Sequence, residues 1–228
     1  SLEMSNVQIN NNSATVQGGG IYFRSGADPW DYTLDIDSSY INGNGGYASG
    51  GGVYIAKSPG GSTIPIVQLS NTTVTNNTSG NDGGGVSLNE VNATFDNCTV
   101  SENTAANGAG INSVSSTVTV NNSSISDNVA SANGGGCYFQ DTDPTITDVN
   151  ISNNSAYSGG GIFCEDQSDA TMTNVTISGN VSSWEGGGIY CEGSSPILTN
   201  VTISGNTATV DGGGVYLTNN SSPVMSHL

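Results

Sequence analysis

Arg24 and Lys57 are the only Arg and Lys in a chain of 228 residues. A lyase acting on an acidic polysaccharide needs such a base, commonly with a divalent cation to neutralise the substrate. The two fall four and five residues past neighbouring glycine corners, beside the loops Gly26 to Tyr32 (GADPWDY) and Lys57 to Pro65 (KSPGGSTIP). Trp30, Tyr32, Asp28 and Asp31 crowd the first of these loops, so this corner is a candidate for ligand binding before it is one for catalysis. A glycosidase needs paired carboxylates across one cleft, whereas the Asp and Glu here are scattered over loop tips. The sequence therefore reads as non-enzymatic, with a polysaccharide-degrading β-helix as an alternative. Glu165 and Glu192, with Asp166 and Glu185 nearby, form a weak calcium candidate, because carboxylates that close either attract a hard cation or shift their titration. No other cofactor is implied. Cys164 and Cys191 hold the same inward position in adjacent repeats, within reach of a disulfide or side by side as buried thiols. Cys98 and Cys137 lie in other columns.

What could position these groups is a repeat. NVTISGNTATVDGGGVY, starting at Asn200, has near copies starting at Asn174, Asp148, Asn122 and Asn97 and more diverged ones at Asn71, Ser38 and Asn6. Aligned on Gly20, Gly52, Gly85, Gly110, Gly136, Gly161, Gly188 and Gly214, the copies are about 26 residues apart apart from two longer early intervals, a period that belongs to solenoids. Apolar and polar residues alternate within each copy, as in Val201, Thr202, Ile203 and Ser204, which means strands. No segment is long enough for an amphipathic helix. Three short strands per coil, about eight coils, and inward columns led by Ile9, Ile21 and Ile36 describe one all-β domain over residues 1–228. It is expected to be a single-stranded right-handed parallel β-helix near 40 Å long.

Three residues after the first apolar column stand Asn12, Asn44, Asn77, Asn103, Asn128, Asn154, Asn180 and Asn206. An Asn at a bend tolerates left-handed angles and can bond its amide to the equivalent amide one coil away, so this column is expected to be an internal asparagine ladder. The glycine triplets then mark tight corners rather than a phosphate loop, since no helix follows them. Two residues after each corner an outward stripe reads Tyr22, Tyr54, Ser87, Asn112, Tyr138, Phe163, Tyr190 and Tyr216. With Trp30 and Tyr32, its aromatic members are the candidate ligand-binding residues, suited to sugar rings or a protein partner and equally to stabilising the sheet. Outward hydroxyl files such as Thr73/Thr75, Thr99/Ser101, Thr176/Ser178 and Thr202/Ser204 offer ice binding as a further alternative, interrupted by Asn150, Asp96 and Asn121. Sequons at Asn71, Asn92, Asn174 and Asn200 are expected of any repeat so rich in Asn and Thr.

The GGGIY and GGGVY corners, paired with N-V-T-I-S-x-N about ten residues earlier, resemble the parallel β-helix repeats of bacterial and archaeal secreted surface proteins. They look most like those of the polymorphic outer membrane proteins of chlamydiae, with FDN at Phe95 to Asn97 standing for the FxxN-type motif. The resemblance implies a pectate-lyase-like superhelix and an extracellular or cell-surface location. A formal charge of −17 makes nucleic acid and anionic membrane poor partners, and no nucleic acid is expected. No apolar run reaches membrane-spanning length, so no direct insertion is expected, and no signal peptide is present. Both ends look cut within a repeat, which suggests a segment of a longer solenoid. The expected function is a structural or adhesive surface module, a stalk, adhesin or fibre segment. Its expected partners are glycans, cell-surface proteins or further copies stacked through the coil ends.

Overall fold

The computed structural model describes residues 1–26 and 31–226. It is a parallel β-helix with four sheets, one of nine strands and three of eight, in which each strand hydrogen-bonds to its counterpart one repeat earlier and one repeat later. A representative coil runs through Thr171–Thr173 in sheet I, Thr176–Ser178 in sheet II, Val181–Ser182 in sheet III and Ile189–Glu192 in sheet IV. Sheet III corrects the expectation of three strands per coil. Its strands are two residues long, as in Thr207–Ala208, too short for alternation to register, and their inward residues are small. Ala105, Ala130 and Ala156 pack there with Ala109 into a separate thin cluster.

The main core is a stack of apolar rungs in strict register. Leu69, Phe95, Val120, Ile146, Met172 and Leu198 follow one another through sheet I, and all six are at most 1% exposed. Two further inward columns complete the core: Leu34, Val67, Ala93 and Val118 in sheet I, and Ile55, Leu88, Ser113, Phe139, Cys164 and Cys191 in sheet IV, of which the sequence marks only the two cysteines. Among the described residues there is no helix of membrane-spanning length and apolarity.

The corners explain the composition. Most residues entering a corner take a left-handed backbone, for example Asn174 (φ 57°) between sheets I and II, Asn153 (φ 56°) between II and III, and Asp141 (φ 48°) between IV and I. Asn and Asp adopt this conformation at lower cost than other side chains, and Gly at none. At the corner between III and IV each glycine of a triplet answers a different contact. A Cβ on Gly159, whose φ is +65°, would lie 2.8 Å from the Phe163 Cβ; one on Gly160 would lie 2.5 Å from the Val181 carbonyl oxygen; one on Gly161 would lie 3.1 Å from the Asn180 amide nitrogen. Backbone of the next coil and the ladder amide fill the space where side chains would stand.

Candidate functional site

Polar side chains inside the solenoid serve coil-to-coil bonding. The Asn128 Nδ2 donates to the Asn154 Oδ1 at 2.9 Å, and the Asn154 Nδ2 donates to the Asn180 Oδ1 at 3.0 Å. The same pattern joins Asn12 to Asn44, Asn44 to Asn77, Asn77 to Asn103, Asn103 to Asn128 and Asn180 to Asn206. Each carbonyl also accepts the backbone N–H of the preceding asparagine, as Asn154 does from Asn128 at 3.0 Å. Hydroxyl ladders at two other corners were hidden in the sequence by the abundance of Ser and Thr. Between IV and I, Ser116, Thr142, Ser168, Ser194 and Ser221 each accept a backbone N–H from the preceding coil at 3.0–3.3 Å. Between I and II, Ser39, Thr72 and Ser123 do the same, and buried Val149, Val175 and Val201 replace them in later coils.

The outer face of sheet IV carries the groups able to meet a ligand. Its stripe forms two stacked blocks, Tyr22 with Tyr54 (centroids 5.5 Å apart, 15° between planes) and the run Tyr138, Phe163, Tyr190, Tyr216. Ser87 and Asn112 separate the blocks, in register. Two features differ from a simple exposed stripe. Tyr138 and Phe163 are buried, at 9% and 4% exposure. The rings also lie face to face, 4.4 Å between Phe163 and Tyr190, so inside a block the ring faces meet one another and only edges and hydroxyls face outward. Sugar stacking on the middle of a block is therefore closed off, because it needs a free face. Tyr32 packs its hydroxyl against Gly26 and joins neither block; Trp30 lies outside the described residues. A further aromatic pair, Tyr157 and Trp184, stacks at 5.9 Å and 6° with both rings more than 40% exposed. It was legible, since both stand two residues before the first glycine of their triplets.

Charge divides this face. Arg24 is in file with Ala56, Asn89, Val114, Gln140, Glu165 and Glu192. The four proposed calcium ligands do not converge. Glu165 accepts the Tyr138 hydroxyl, Asp166 accepts the Gln140 amide at 2.9 Å, and Glu192 accepts the Asn219 amide at 2.7 Å, while the Glu185 charge acts on Tyr216. Among the described residues no group of three potential metal-ligating side chains forms. Burial raises the Glu165 carboxyl above its ordinary range, with Asp166 and Glu192 adding to the rise against the bond from Tyr138. Burial likewise pushes the Tyr190 hydroxyl up to about 12, helped by Glu192 and Glu185. Cys164 and Cys191 are paired in register yet both are free thiols, fully buried. Directly paired residues of parallel strands project the same way, so the two thiols are neighbours, and Cys191 together with burial raises the Cys164 thiol. No disulfide forms between them.

At the other end of the face, Lys57 is ion-paired with Glu90 and shares a hollow with Arg24, Gln17, Tyr22, Tyr54 and Asn89. The hydroxyl files also lie in register on sheet II: Thr73, Thr99, Ser124, Asn150, Thr176 and Thr202 in one, and Thr75, Ser101, Ser126, Ser152, Ser178 and Ser204 in the other. They mix three side-chain types, and the hydroxyls of Thr75 and Ser101 bond to each other at 3.1 Å.

A solenoid of stacked parallel rungs, held by internal ladders and displaying its variable groups outward, is the class these features define. The chain belongs to the right-handed β-helix family, whose model matches residues 62–227. Residues 6–24, which contain the first GGGIY corner, match the Chlamydia polymorphic membrane protein repeat. No curated protein and no solved structure matches the chain.

Proposed function

We propose that this chain is a non-enzymatic module of an extracellular, surface-exposed protein, a rigid β-helix that holds the outer face of sheet IV toward a partner. The observation that carries this reading is the division of labour among polar groups. Inside, the amides and hydroxyls bond coil to coil; outside, aromatic, acidic and basic groups line up in files along a flat face. An elongated face of this kind suits adhesion to glycans or surface proteins. The repeat shared with chlamydial membrane proteins at residues 6–24 supports a surface location.

A glycan-array screen of the purified protein, run beside a solution size measurement and an assay for polysaccharide cleavage, tests this. Specific binding that is lost on Tyr216→Ala or Arg24→Gln, without product release, is the expected result. Turnover of any polysaccharide would overturn the non-enzymatic reading. Silence on the array with end-to-end particles in solution would replace adhesion with a stalk role.

A further inference from the structure

The chain's one Arg and one Lys meet in one place. In a protein of net charge −17, Arg24 and Lys57 both line a single hollow of about 370 Å³ on the outer face of sheet IV, with Gln17, Tyr22, Tyr54 and Asn89. Resting on the surface-module reading, we infer that this hollow is the ligand-binding subsite, and that its ligand is a singly charged acidic sugar unit.

The walls define that chemistry. Stacked Tyr22 and Tyr54 make one rigid side. Gln17 lines the hollow beside Tyr54, and burial raises the Tyr54 hydroxyl above its ordinary pKa, so it stays protonated. It and the amides of Gln17 and Asn89 offer the mixed donors and acceptors that ring hydroxyls require. Arg24 supplies a planar fork matched to a carboxylate or sulfate. The Lys57 ammonium has three donors, of which Glu90 takes one, leaving others for the ligand. Among the described residues that line the hollow Glu90 is the one acid, so a single anion balances the excess of one cation there. A dense polyanion would meet the acidic remainder of the same face, Glu165 and Glu192 in file with Arg24. The volume suits a small ligand rather than a protein side.

Calorimetric titration of the whole chain with short uronic acid oligosaccharides, sulfated sugars and their neutral counterparts tests the inference. Saturable binding of an acidic sugar, absent for its neutral counterpart and weakened about tenfold or more by Arg24→Gln, is expected, with Glu192→Gln binding as the parent does. The carboxylated and sulfated arms tell which anion the fork prefers. Circular dichroism of the Arg24→Gln protein, matching the parent, excludes misfolding as the cause. Equal binding of neutral sugars, unchanged affinity in Arg24→Gln, or no binding of any acidic sugar overturns the inference. If the array screen still shows partner binding in that case, the surface-module reading survives it.

Discussion

Asn154→Ala is the sharpest probe of what holds the coils together. The Asn154 side chain takes part in four hydrogen bonds. Its Nδ2 donates to the Asn180 Oδ1 and to the Ile125 carbonyl, both at 3.0 Å, and its Oδ1 accepts from the Asn128 N–H at 3.0 Å and the Asn128 Nδ2 at 2.9 Å. Asn128, Asn154 and Asn180 are all 0% exposed, so water does not replace the lost partners. At about 1 kcal/mol net per bond, and more where a buried donor such as the Asn128 N–H is left unmade, the loss is about 4–6 kcal/mol. That is a large part of the ~5–15 kcal/mol stability of a typical domain. Asn174→Ala is the internal control. Asn174 also bridges coils, donating to Asp148 at 3.0 Å and accepting from Asn200 at 2.7 Å, but at the exposed corner, where water substitutes. Its expected cost is ~1–2 kcal/mol, mostly from forcing Ala into φ 57°, and Asn174→Gly should recover most of it. Urea unfolding followed by circular dichroism, with m-values checked for loss of two-state behaviour, measures all three. Equal costs for Asn154→Ala and Asn174→Ala would refute the argument that burial gives the inner ladder its weight.

Gly160→Ala should cost several kcal/mol, because its Cβ meets the Val181 and Gly187 carbonyl oxygens at 2.5 and 2.6 Å; a melting temperature within a degree or two of the parent would contradict the corner geometry. All four cysteines are buried and free, so a thiol reagent should label none in the folded protein and four after denaturation, and two permanently silent thiols would mean a disulfide. Ser194→Ala removes the acceptor of the Ser168 N–H at 3.0 Å and should cost about 1–3 kcal/mol by the same urea assay; no loss would place water in the hydroxyl ladder.

Much of this was legible because period two and a period near 26 are both strong signals. The Ile9 column, the eight asparagines and the glycine corners could be placed from spacing alone. Sheet III could not, since Val181–Ser182 is too short to show alternation. Nor could the hydroxyl ladders, because Ser168 and Ser194 look like every other serine in a chain full of them until backbone register brings an N–H opposite each one. At the candidate site the order of the stripe was readable, but its usable surface was not. Sequence places Phe163 on the outer face; only the packing of neighbouring coils shows that it is covered. The geometry of Glu165, Glu192, Asp166 and Glu185 was not readable for a related reason: adjacency in the fold does not fix where flexible carboxylates point, and three of the four find separate donors.

Glu165 shows how that cluster still has a consequence. Its carboxyl is half-buried beneath Tyr138 and beside two other acids, and its pKa is raised in the fold. A carboxyl whose folded pKa exceeds its unfolded value holds its proton more tightly in the native state. It therefore destabilises the fold as pH rises from the ordinary carboxylate range through the raised value, and it stops doing so below both. Glu165→Gln keeps an oxygen to accept the Tyr138 hydroxyl while removing the charge. Its melting temperature should exceed the parent's at neutral pH and converge with it below about pH 4, where the parent is protonated in both states. A Gln variant less stable than the parent at neutral pH would mean that the Tyr138 bond to the ionised carboxylate outweighs burial and repulsion. The acidic end of the sheet IV face would then be stabilised by its charge.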